Sequence, residues 1–96
     1  MMTSKQRAYL RKLATQLDTI LYIGKNGINH NVSVDADAAL EAHELVKGRV
    51  QEASPLTPRE AAQQLADENH AQVVQVIGMR FVLYRPAKKP VIVLPE

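Results

Sequence analysis

Between Asp18 and Arg85 the sequence alternates short β-branched runs with longer stretches of helical period. That alternation limits the chain to α/β layer folds. D-T-I-L-Y-I-G (18–24), E-L-V-K-G-R-V-Q (44–51), A-Q-V-V-Q-V-I-G (71–78) and R-F-V-L-Y-R (80–85) have the length and composition of strands. In the second, Val46 and Val50 fall on one face and Lys47 and Arg49 on the other. Gly78 and Met79 separate the last two, which predicts a tight antiparallel hairpin.

Helical segments fill the intervals. In T-S-K-Q-R-A-Y-L-R-K-L-A-T-Q-L (3–17), a step of about 100° per residue gathers Tyr9, Leu10, Leu13, Ala14 and Leu17 into one arc. Lys5 and Lys12 flank that arc on one side and Arg7 and Arg11 on the other, while Thr3 and Gln6 have capping-box spacing. Thr57, Pro58 and Glu60 form the clearest helix start in the chain: N-cap, first-turn proline and capping-box partner. That helix is expected to end near Asn69, a residue that tolerates the left-handed conformation.

The stretch after Gly24 has two readings. Asn26-Gly27 between apolar runs signals a hairpin, and Ile28, Val32 and Val34 alternate as a strand would. Ile28, Val32, Ala36, Ala39, Leu40 and His43 equally line a helical face that Asn29 could cap, and D-A-D-A-A-L-E-A-H-E (35–44) is made of helix formers. With the helix, the order is α-β-α-β-α-β-β. Right-handed crossovers then make the linked strands parallel and place helices on a face of a mixed sheet, an α/β two-layer sandwich. The tail from 87 to 96 has an apolar centre between prolines and is assigned to no element.

Charge is unevenly spread. Residues 1–27 carry five basic side chains and one acidic, 28–70 three basic and eight acidic, and 71–96 four basic and one acidic. The two ends predict an electropositive face suited to a polyanion, and the middle an acidic face opposite. At 96 residues without cysteine, the chain has no disulfide, thiolate or Cys-ligated zinc chemistry. No apolar run approaches the ~20 residues of a membrane helix, and the N-terminus lacks a signal-peptide core. A cytoplasmic protein with no membrane partner is expected.

Gly24-Lys25-Asn26-Gly27 follows the first strand and, in the helical reading, opens the second helix. Glycines there allow close backbone approach, the helix start favours anions, and Lys25 adds a mobile cation. A GXXG loop clamps nucleic-acid backbone in KH domains on this logic. It is not a P-loop, whose spacing differs. His30, His43 and His70 lack metal-site spacing, Asp35 and Asp37 diverge on a helix, and Ser4, Ser33 and Ser54 sit in no nucleophile elbow. No enzyme, cofactor, metal or small-molecule substrate is therefore expected. Phe81 and Tyr84 face opposite ways on one strand, so they are not an RRM-type stacking pair.

Taken in order, I-G-K-N-G-I (23–28), A-L-E-A-H-E-L-V-K (39–47), V-Q-V-I-G (74–78), V-L-Y-R-P (82–86) and the S-K-Q start (4–6) resemble the CRM domain family, and within it the free-standing bacterial YhbY-like proteins. The resemblance implies one CRM-type domain over 1–96, with three helices on a four-stranded mixed sheet, similar to the C-terminal domain of bacterial initiation factor three. It favours loop then helix after Gly24. It further implies an RNA-binding protein associated with large-subunit ribosomal RNA in pre-ribosomal particles. Gly24, Lys25, Asn26 and Gly27 match the family's RNA-contacting loop, with the basic residues of the first helix, Lys5, Arg7, Arg11 and Lys12, expected beside it. Arg80 and Arg85 are added as further cations. The chain departs from the family pattern at Ile28-Asn29, at Asn69-His70 and at Gly48, where a bulge or weak point in the second strand is expected. The rival reading is a protein-interaction module that uses the acidic middle segment to contact ribosomal or other basic proteins.

Overall fold

Capping chemistry sets where each helix begins. In the computed structural model, which describes residues 2–96, the elements are α1 (Ser4–Ala14), β1 (Thr19–Ile23), α2 (His30–His43), β2 (Leu45–Val50), α3 (Pro58–Asn69), β3 (Gln72–Ile77) and β4 (Arg80–Tyr84). Thr3 and Gln6 close a reciprocal capping box at 3.0 and 3.1 Å, as do Thr57 and Glu60 at 2.9 and 3.1 Å. Asn29 caps α2 by accepting from the Val32 amide at 3.0 Å, so the segment after Gly27 is loop and helix. At the end of α3 the left-handed residue is His70, at φ 55°, not Asn69. Asn69 stays helical and buried, its amide donating to the Leu65 carbonyl at 3.0 Å.

The sheet order is β1-β2-β4-β3. β1 and β2 are parallel, and β4 is antiparallel to both neighbours, so β2 and β3 also run the same way with β4 between them. Both crossovers step across the sheet in one direction. Right-handedness therefore puts α2 and α3 on the same face. They bury Ile23, Leu40, Val46, Val50, Leu65, Phe81 and Leu83 there.

The layering departs from the two-layer expectation. Four strands span only about 19 Å, a width that two helices of about 10 Å fill. α1, which belongs to no crossover, takes the other face, where Leu10 and Ala14 meet Leu45, Val74, Val82 and Tyr84. The result is three layers, with one helix on one side and two on the other. α1 covers the sheet at the start of β2 and the end of β4. The opposite end of that face stays open, with Ile20, Tyr22, Arg49, Ile77 and Arg80 exposed.

Gly48 makes no weak point. β2 and β4 pair without interruption from Leu45↔Tyr84 to Arg49↔Arg80, and Gly48 stands opposite Phe81. The register breaks lie in the edge strands, between Thr19 and Leu21 and between Val73 and Gln75. The tail is fixed by a buried carboxylate. Glu44, at φ 65° between α2 and β2, accepts from the amides of Ala87 (2.8 Å), Val91 (2.9 Å) and Ile92 (2.8 Å). Ile92 and Leu94 then pack beneath α1.

Candidate functional site

β1 runs out of the sheet at Ile23 straight into the Gly24–Gly27 turn. The Gly27 amide donates to the Gly24 carbonyl at 3.0 Å, which leaves Lys25 and Asn26 at the exposed tip. Gly27 is buried at φ 63°, and a β-carbon there would lie 3.3 Å from Pro55 Cγ. Its glycine is explained by the turn. Gly24 is different: its φ is ordinary, and a β-carbon would meet only the end of the Gln51 side chain, at 2.9 Å. The fold does not demand glycine there. A shallow depression of about 410 Å³ beside the turn is lined by Lys25, Asn26, Asn29 and Gln51 among others.

The structure separates the cations named from sequence. Lys25 stands on the loop. Arg80 opens β4 on the uncovered sheet face, exposed. Lys5, Arg11 and Lys12 are exposed on α1. α1, however, does not lie beside the loop. It crosses the end of the sheet where β2 begins, and the loop lies past the end where β1 and β2 finish, roughly 16 Å along the strands. Arg7 is committed to the fold: its Nη1 donates to the carbonyls of Val73 (2.7 Å) and Val74 (2.9 Å), at the break in β3. Arg11 follows one turn later on the same flank.

Arg85 leaves the site altogether. It emerges on the α2/α3 side, where it bonds Asp37 Oδ1 at 2.7 Å, the Asp37 carbonyl at 3.1 Å and the Asn69 carbonyl at 3.0 Å, with Glu41 3.7 Å away. Its charge is neutralised and its donors hold α2 and the end of α3 to β4. Among the described residues, these pairs of Arg85 are the only ion pairs.

Two residues that sequence reasoning passed over complete the surface. Tyr22 pairs in register with Arg49, Arg49 with Arg80, and Arg80 with Ile77, so the four form a row across all four strands. Ile23, Val50 and Phe81 are buried toward α2 and α3, so alternation turns Tyr22, Arg49 and Arg80 to the open face. The signal was present in the strand period of L-Y-I and G-R-V. Acidic side chains collect on the far layer, at Asp35, Asp37 and Glu41 of α2 and Glu60, Asp67 and Glu68 of α3. The two helices of that layer carry six acids and one arginine, Arg59, whereas α1 carries four cations and no acid. No group of His, Asp and Glu among the described residues is arranged to hold a metal.

A three-helix, mixed-sheet α/β domain with a Gly-Lys-Asn-Gly turn and a basic open sheet face defines the class. The sequence profile of the CRS1/YhbY (CRM) domain matches residues 2–85, and the chain belongs to that family. It is 37% identical over 89 residues to the "Probable RNA-binding protein YqeI" of Bacillus subtilis (strain 168), covering 93% of each chain. To an "RNA-binding protein" of Haemophilus influenzae it is 35% identical over 95 residues, 99% of this chain and 96% of the other. The solution structure of SAV1595 from Staphylococcus aureus superposes with a TM-score of 0.82 at 42% identity, over 99% of this chain and 100% of that one.

Proposed function

We propose that this protein binds RNA without catalysing a reaction, and that in the cytoplasm it associates with precursors of the large ribosomal subunit as an assembly or maturation factor. The observation that carries the reading is the uneven division of charge: Lys25, Arg49 and Arg80 are exposed without carboxylate partners among the described residues, and six acids lie on the opposite layer, on α2 and α3. Such a surface lowers its own electrostatic cost by meeting phosphates, with release of their counterions. Lys25 meets one phosphate at the loop, Gly24 allows close approach, and Arg11 extends the path along α1. The names of the relatives point the same way.

The test is sedimentation of a gently prepared lysate at low and raised salt, with fractions probed for the protein. Co-migration with large-subunit precursors that is lost as salt rises is the expected result. Persistence at the top of the gradient at every salt would remove the ribosomal partner. A second reading, contact with a basic protein through the acidic layer, is favoured by the exposure of Asp35, Asp67 and Glu68. Retention of the protein on particles stripped of RNA would select it.

A further inference from the structure

The open half of the sheet carries more than charge. Tyr22 is 55% exposed, far more than a strand aromatic in a packed layer, and it stands two residues before Gly24. Its side chain leans back along β1, with the hydroxyl 3.4 Å from the Thr19 carbonyl, too long to be a firm hydrogen bond. The neighbours in the row are the two arginines. Arg49 and Arg80 are direct cross-strand partners, and like charges in that relation repel and weaken a sheet. Neither has a carboxylate partner among the described residues. A repulsive pair beside an exposed ring is a poor choice for stability alone. It suits a ligand that brings negative charge and a flat apolar surface together.

We propose that Tyr22, Arg49 and Arg80 form a base-stacking site for unpaired RNA. The Tyr22 ring takes the face of one base, and Arg49 and Arg80 hold the phosphates of the strand as it crosses from β1 to β4. This rests on the RNA-binding reading above and specifies it: the ligand is a single-stranded segment, since a base inside a duplex has no free face to offer. The row also supplies what the loop and α1 lack, a basic path across the strands that separate them.

The experiment compares two fluorescent RNA probes of equal length, an unstructured single strand and a perfect duplex. Each is titrated with the wild-type protein and with Tyr22→Ala, Tyr22→Phe, Arg49→Gln and Arg80→Gln, at several salt concentrations. Thermal unfolding of each variant confirms that it is folded. Tyr22→Ala is expected to weaken single-strand binding about tenfold with the salt slope unchanged, and to leave duplex binding as it was. Tyr22→Phe, which keeps the ring, should bind as wild type. Arg49→Gln and Arg80→Gln should each flatten the slope by roughly one charge. Wild-type affinity of Tyr22→Ala for the single strand would overturn the stacking site while leaving RNA binding intact. Failure of the wild type to bind either probe at low salt would overturn the stacking site and the RNA-binding reading together.

Discussion

Phe81 lies directly across from Gly48, and its ring occupies the volume that any larger residue at 48 would need. A β-carbon at Gly48 would come within 2.7 Å of Phe81 Cε1 and 2.8 Å of Cε2. Phe81 is fully buried against α2 and α3 and has nowhere to withdraw. Gly48→Ala should therefore destabilise the protein by about 2–3 kcal/mol, as overpacking of a filled core does. Urea unfolding with an unchanged m-value checks it. A loss below about 0.5 kcal/mol would mean that the ring yields easily.

The two loop glycines should respond in opposite ways. Gly27→Ala forces a left-handed conformation on alanine, at about 1–2 kcal/mol, and also presses on Pro55. Gly24→Ala requires only that the Gln51 side chain move. It should unfold as wild type yet bind RNA more weakly, because its methyl group intervenes between backbone and phosphate. Filter binding beside thermal unfolding separates the two effects. Unchanged affinity of Gly24→Ala would remove that close approach.

Burial would raise the Glu44 carboxyl, but the amides of Ala87, Ile92 and Val91 reverse this and hold it below its ordinary value of 4.5. A carboxylate lowered by folding stabilises fully above the ordinary value, and the contribution disappears as pH falls through the lowered one. As pH falls through that lowered value the tail should loosen, which faster amide exchange of Val91 and Ile92 would report. At neutral pH, Glu44→Gln should speed tryptic cleavage after Lys88, the tail's one susceptible bond because Lys89 precedes Pro90, and reduce the acid dependence of stability. Equal cleavage in variant and wild type would show that the tail is held by Ile92 and Leu94 alone.

Arg85 and Lys25 should separate stability from binding. Arg85→Met removes the bonds to Asp37 and to the Asn69 carbonyl and should cost about 1–3 kcal/mol, with the RNA salt slope intact. Lys25→Ala should leave unfolding unchanged and lower that slope by about one charge. Reversal of the two patterns would exchange their roles.

How much of this was legible depended on whether a signal was local. Thr3 and Thr57 announce their helices because a cap and its partner lie within three residues, whereas Asn29 left its segment open between hairpin and helix until its bond to the Val32 amide decided it. The loop was found because its glycines are adjacent to a strand end. Layering was not found: it depends on β4 inserting between β2 and β3, a pairing between residues far apart in the chain. The cations divided on the same principle. Arg7 and Arg85 read as free charges in sequence, and only tertiary structure brings them to the Val73 and Asn69 carbonyls. Arg49 was placed on its strand face, but neither it nor Tyr22 was counted in the site, because the row they form with Arg80 exists only once three strands are in register.

Both breaks in register fall in the outer strands, β1 and β3, each of which holds one extra residue against its inner partner. An outer strand that loses its regular spacing is a poor template for a stranger, and the Arg7 guanidinium further occupies two carbonyls at the β3 break. Crowding is the consequence that matters. Many copies gathered along one polyanion would lie flank to flank at high local concentration, the condition under which bare sheet margins zip together. Here the margins are already spoiled, so neighbours on one such strand would be expected to stay separate molecules.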